Sequence, residues 1–222
     1  MGKNLFEKKS AVEVAGSAAV EQVKPQAVVL AELGFNAEDN MEGTEPRLPQ
    51  IGIIHQAQMF KLPDDSKVGE LQGVIVDSNR TNAFWAKDIN EGGAGQLPDC
   101  FSFDGITPSS TVDEPISPLC ASCSKNKYGS EIKGGVSGRG KACKNSRRVH
   151  ILVEGEMIPN RLTVPPSSLR CWDDYMVQLT KVGRMYPTVV TKITLDKANN
   201  KDGIEYSKPE FQVLVNIDDR AK

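Results

Sequence analysis

Four of the five cysteines in this 222-residue chain fall in a symmetrical pattern: Cys100 and Cys143 each stand nineteen residues outside the pair Cys120-Ala121-Ser122-Cys123. Tetrahedral zinc sites need four thiolate or imidazole donors, and a Cys-x2-Cys knuckle supplies two of them from one tight turn. The outer cysteines can close the shell from flanking strands or loops. Between them the sequence is turn-like, with PSSTVDEPISP before the knuckle and SEIKGGVSGRGK after it. Such segments bury too little apolar surface to fold unaided, so a metal staple would supply the missing folding energy.

Other cysteine chemistries fit less well. Disulfides belong to oxidising compartments, and the opening MGKNLFEKKSAVEV has no apolar signal core. A cytoplasmic address is therefore expected. A thioredoxin-like redox pair opens a helix after a strand, and Pro118-Leu119 gives the knuckle no such context. An iron–sulfur cluster uses the same four thiolates, and spacing alone leaves it open beside zinc. Open catalytic zinc sites usually include His or a carboxylate among three protein ligands, whereas four cysteines point to a closed, structural site. His150 is the reserve ligand. The fifth cysteine, Cys171, adjoins Trp172 and is expected to be packed rather than to bind metal.

The net charge is −2, near neutral for the chain as a whole, yet charge is unevenly placed. From 124 to 148 the basic residues Lys125, Lys127, Lys133, Arg139, Lys141, Lys144, Arg147 and Arg148 face only Glu131, whereas residues 1–46 are acidic on balance. A local positive field of that kind suits phosphate, and each neutralised phosphate releases counterions. Bases also stack on aromatic rings, and Phe84, Trp85, Phe101, Phe103 and Tyr128 flank the same region. Alternation along a strand sends one of Phe84 and Trp85 inward and the other outward. The nucleic-acid candidates are thus Arg80, Phe84, Trp85, Lys125, Lys127, Tyr128, Lys141, Lys144, Arg147 and Arg148. No phosphate-binding glycine loop or paired catalytic carboxylates can be assigned.

The elements that must position these residues are mostly strands. Period-two patterns mark 51–60, 69–78, 147–155, 187–196 and 210–217. Asn79-Arg80-Thr81-Asn82 has turn chemistry, so 83–89 is expected to return as a hairpin partner. One helix follows Pro165-Pro166-Ser167-Ser168, whose serines are expected to accept from free N–H groups. It carries Leu169, Trp172, Met176 and Leu179 on one face and stops at Gly183. Residues 1–49 read as an acidic, mostly disordered arm with a short helical segment at 27–35 and a linker at 36–50. The order predicts a mainly β domain over 50–218: an OB-fold-like five-stranded barrel with one helix, carrying a zinc-binding insertion at about 97–146 between strands 2 and 3. In that fold strands 2 and 3 form the oligonucleotide face.

The series PDCFSFDG (98–105), CASC (120–123), YGS (128–130), GKACKNSRR (140–148) and PPSSL (165–169) resembles a family of uncharacterised phage and mobile-element proteins over roughly residues 50–215. In architecture the chain is similar to phage single-stranded DNA-binding proteins, some of which insert a zinc subdomain into an OB-fold. It departs from the best-known of these in using four cysteines without a histidine, and in having Asp218-Asp219 followed by Arg220 and Lys222 in place of a clear acidic tail. The resemblance implies a protein that binds single-stranded DNA, or RNA, with little sequence preference during replication or recombination, alongside partner proteins of those processes. The alternatives are a zinc-stapled protein-interaction module and a nucleic-acid-processing enzyme.

Overall fold

The structure is a computed structural model that describes residues 47–86, 97–133, 135–199, 203 and 205–217. The arm up to residue 46 with its helical segment, the last three residues of the expected 83–89 strand, and the residues from 218 lie outside that set. No helix among the described residues is long and apolar enough to cross a membrane.

The chain is mainly β, with one α-helix among the described residues. The strands are β1 (Gln50–Ile54), β2 (Met59–Lys61), β3 (Lys67–Val68), β4 (Glu70–Phe84), β5 (Cys100–Ser102), β6 (Ile132–Lys133), β7 (Val136–Ser137), β8 (Lys144–Val153), β9 (Asn160–Val164), β10 (Val189–Asn199) and β11 (Glu205–Asn216), and the helix is α1 (Leu169–Lys181). They form one curled, open sheet in the order β11-β10-β4-β8-β9-β1-β2-β3, with β5 also paired to β4; β6 and β7 make a separate small hairpin.

Two expected elements differ. The segment 51–60 is a hairpin, β1 and β2, rather than one extended strand; its turn ends at Gln58, which takes a positive φ of 50°. The expected turn at 79–82 is instead the second half of the fifteen-residue β4, which pairs with β8 down to Ala83↔Lys144. The turn-forming amides are used elsewhere. Asn79 donates to the Phe103 carbonyl and Asn82 to the Gly105 carbonyl, so both hold the insertion rather than bend their own strand.

Between Ile75 and Asp77 the β4–β8 register slips, leaving Val76 without a partner on β8. A bulge of one residue reverses which side chains face the core. Before it, Leu71, Gly73 and Ile75 are buried; after it, Ser78, Arg80, Asn82 and Phe84 share a face with Val149 and Ile151. Asp77 pairs across with His150 on the opposite, outer face.

The inner face is covered by α1. Trp172, Tyr175 and Leu179 pack on Ile75, Val149, Ile151, Leu162, Val164, Ile193 and Phe211, and Leu169 and Met176 fill the margin. Trp172 meets Phe211 edge-on at 5.5 Å, and the buried Tyr175 hydroxyl lies 2.7 Å from Thr191 Oγ1. Ser168, at the N-cap, makes no side-chain cap. The C-terminus closes as expected: Gly183, at φ +67°, and Arg184 donate to the Thr180 and Leu179 carbonyls.

Candidate metal centre and nucleic-acid interface

The insertion connects the two long strands of one hairpin, leaving β4 after Phe84 and re-entering β8 at Lys144. Cys100 opens β5 directly opposite Phe84, and Cys143 immediately precedes β8. The flanking strands therefore bring the outer cysteines together, and the knuckle folds back onto them. Cys120 N–H donates to the Ile106 carbonyl, Cys143 N–H to the Lys125 carbonyl, and Asn126 Nδ2 to the Cys120 carbonyl. All four cysteines line one pocket, with Phe84 beside them. Cys120, Cys123 and Cys143 are buried, and all five cysteines of the chain are free thiols.

Burial pushes the Cys143 thiol up to about 11; the neighbouring Cys120, Cys123 and Cys100 add to that push, and Lys141 opposes it. The thiols thus share one low-dielectric space, where a divalent cation would offset both the burial and the mutual repulsion of thiolates. Among the described residues no group of three or more His, Cys, Asp or Glu is already arranged to hold a metal ion, so the backbone gathers the donors without a finished coordination shell. His150 does not line this pocket; its Nδ1 lies 3.1 Å from Asp77 Oδ2. Cys171 is half-buried in α1, with its thiol 3.5 Å from Glu210 Oε1. Burial, followed by the Glu210 charge, raises its proton affinity.

Strand alternation and the bulge divide the expected basic groove between two faces. Arg80 and Arg147 are cross-strand partners on the inner face, beyond the end of the core. Arg147 lies over the Trp172 ring at 5.3 Å and donates to Ser78 Oγ. Arg148, the next residue, points outward, its guanidinium 5.0 Å from the centre of the Phe103 ring. Its proton affinity is lowered by burial and then by Arg161, which lies on β9 on the same outer face.

The remaining candidates sit on the insertion. Lys125 lies over Phe84, which is buried, so Phe84 is part of the cysteine pocket's wall rather than a stacking platform. Trp85 follows it at the strand end and is 36% exposed. Lys141 lies 5.1 Å over the ring of Tyr128, a residue 83% exposed, and also donates to Asn126 and Asn145. Lys144 is held by Glu131, and Lys127 is exposed.

Phe103, Arg161, Asn82 and Asn145 complete these surfaces but were not among the candidates. The period-two pattern of NRLTV at 160–164 would have placed Arg161 outward, opposite Leu162. The amide pair, Asn145 Nδ2 to Asn82 Oδ1, has no signal in the sequence because it depends on the bulge-shifted register. Compared with known proteins, the chain matches no protein-family model, no curated protein and no solved structure.

Proposed function

We propose that this protein binds single-stranded nucleic acid, DNA in the first place, through the outer face of its sheet and the surface of an insertion tied by one structural zinc ion. The observation that carries the reading is the Phe103–Arg148 pair. An aromatic residue 52% exposed with a guanidinium over its ring, and Arg161 alongside, is a platform on which a base can stack while the charges meet phosphate. Tyr128 with Lys141 repeats the combination on the insertion. Such pairs are tolerant of sequence because every base offers a π-face.

The fold supports the same reading. The meander β4-β8-β9 is followed by α1 and then by β10, which returns to pair with β4, and β11. An OB barrel uses that succession, and counted so, the insertion is the loop between the first and second barrel strands, one of the loops that carry oligonucleotides there. The hairpin β1–β2 stands before the meander rather than within it. Cys100, Cys120, Cys123 and Cys143 would hold the zinc, whose role is to fix the loop's shape and with it Lys125, Lys141 and Tyr128. Strand coating during phage or mobile-element replication or recombination is the setting this activity fits.

A second reading has its own observation. Ile106, Ile116 and Leu119 of the insertion are exposed, a surface that suits a protein partner. Titration of fluorescein-labelled oligo-dT and of the corresponding duplex at low and moderate salt separates the two. The expected result is tighter binding of the single strand, weakening as salt rises. Arg148→Ala should reduce the log–log salt slope by about 0.7. Folded, metal-loaded protein that binds neither strand at low salt would transfer the function to the protein-interaction surface.

A further inference from the structure

Arg80 stands directly opposite Arg147 in the β4–β8 ladder. Like charges facing each other across an antiparallel pair are destabilising, yet the two side chains share this face of the ladder. Arg147 is fixed by the Trp172 ring and by Ser78 Oγ, at 3.1 Å. Its proton affinity is lowered first by burial and then by Arg80, with Asp173 pulling the other way. The base of the Arg80 side chain lies against Gly105, at φ +72°, where a Cβ would come within 2.8 Å of the Arg80 Cβ. Only glycine combines that backbone conformation with so close an approach.

Both arginines line an open pocket of about 330 Å³ between the start of α1 and the insertion, together with Asn82, Lys141, Asn145 and Asp173. Lys141 is aimed by Asn126 Oδ1 at 3.2 Å and Asn145 Oδ1 at 3.0 Å. Two guanidiniums and one ammonium against one carboxylate leave two positive charges. An internal phosphodiester carries one negative charge, whereas a phosphate monoester carries nearly two at neutral pH. Guanidinium forks match phosphate oxygens bidentately.

We propose that this inner-face pocket is a phosphate-monoester site that takes the terminal phosphate of a nucleic-acid strand. The choice of a strand as carrier rests on the function proposed above; the monoester chemistry rests on the pocket alone. A free nucleotide presents the same group, and the test distinguishes the two. The site is separate from the outer face, because alternation turns Arg148 away from the pocket that Arg147 lines.

Full-length protein is titrated with three internally labelled oligo-dT strands of equal length: 5′-phosphorylated, 3′-phosphorylated, and hydroxyl at both ends. In parallel its thermal midpoint is followed with thymidine monophosphate and with thymidine. One phosphorylated end should bind about tenfold more tightly than the hydroxyl ends, and Arg80→Gln should bring that ratio close to one. Arg80 is the diagnostic position because it is exposed, whereas Arg147→Gln also removes packing on Trp172. Stabilisation by the monophosphate alone, lost in Arg80→Gln, with all strands bound alike or not at all, would support the pocket and identify a free nucleotide as its ligand. Equal strand binding with no stabilisation by the monophosphate would overturn the site and leave the strand-binding reading standing. If no strand binds and the monophosphate has no effect, both fall.

Discussion

Around Trp172 the chain is held by apolar burial: aliphatic side chains from β4, β8, β9 and β10 close on three helix residues and Phe211. Between β5 and β8 almost nothing of that kind exists. Among the described residues of 97–143 only Ser102, Cys120, Cys123 and Cys143 are buried, while Ile106, Ile116, Leu119, Ile132 and Val136 are exposed. The insertion is shaped by directed bonds: amides of β4 to its carbonyls, Asn126 to the knuckle, Glu131 to Lys144. Directed bonds specify a shape but contribute about 1 kcal/mol each, so a loop built on them needs a further source of stability. Four convergent thiols provide it if they bind a metal. The two regions should therefore fail separately, and by different treatments.

The largest effect is expected at the cysteines. Structural zinc is worth ~10–16 kcal/mol in small zinc-dependent folds, so Cys120→Ser or chelation should strip amide protection from residues 97–143. The β10–β11 ladder and the ring cluster around Trp172 should keep theirs. Elemental analysis should find about one zinc per chain, with one donor from each of the four cysteines. A brown protein containing iron would assign the thiols to a cluster instead. Loss of protection throughout the sheet on chelation would break the comparison, because the sheet would then depend on the metal as well.

The converse experiment is Trp172→Ala. Removing a fully buried aromatic side chain costs ~3–5 kcal/mol, and here it also deprives Arg147 of the ring it covers. The denaturant midpoint of the sheet should fall while the metal content of the folded protein stays the same. Metal loss in step with the sheet would mean that the two regions form one cooperative unit.

How far each region was legible follows from the same contrast. The core was readable because burial leaves a periodic trace: Leu71 and Ile75, Val149 and Ile151, and Trp172 and Leu179 all face where their spacing put them. The gathering of the four cysteines was readable because donor type and spacing are local. What escaped were effects of register. Val76 looks like an ordinary strand residue, yet as the bulge it turns Arg80 and Phe84 inward and so sets Arg80 beside Arg147 on the inner face. Asn79 and Asn82 looked like turn residues because their bonds to Phe103 and Gly105 reach across more than twenty residues of sequence.

The bulge makes a smaller, sharper prediction about adjacent rings. Trp85→Ala should weaken single-strand binding by ~1–3 kcal/mol while leaving the thermal midpoint nearly unchanged, as expected of a stacking platform. Phe84→Ala should do the reverse, loosening the cysteine pocket it lines. A stability loss at Trp85 with unchanged binding would reverse the assignment.

The smallest effect is expected at Asp104, in the loop that lies against the base of Arg80. Its carboxylate accepts from the Ile106 and Thr107 N–H groups at 2.7 and 2.9 Å and from Ser102 Oγ at 2.7 Å. Those bonds, the Ile106 N–H foremost, hold it well below the usual carboxylate range. A folded-state value below the unfolded one means that the contribution is complete above the ordinary carboxyl value of 3.8. It is lost as pH falls through the folded value. Because the group is at the surface, solvent screens it and the effect stays local. Acidification well below pH 4 should thus shift the amide resonances of Gly105 and Ile106 before those of β10. Asp104→Asn keeps one acceptor oxygen but no titratable proton, so its loop should show no such acid transition. A loop that keeps its resonances down to the pH at which the sheet itself unfolds would show that Ser102 Oγ, which accepts from the Gly105 N–H, and Asn82, which donates to the Gly105 carbonyl, hold that glycine without the carboxylate. Arg80 would then owe its position to the strand rather than to the turn.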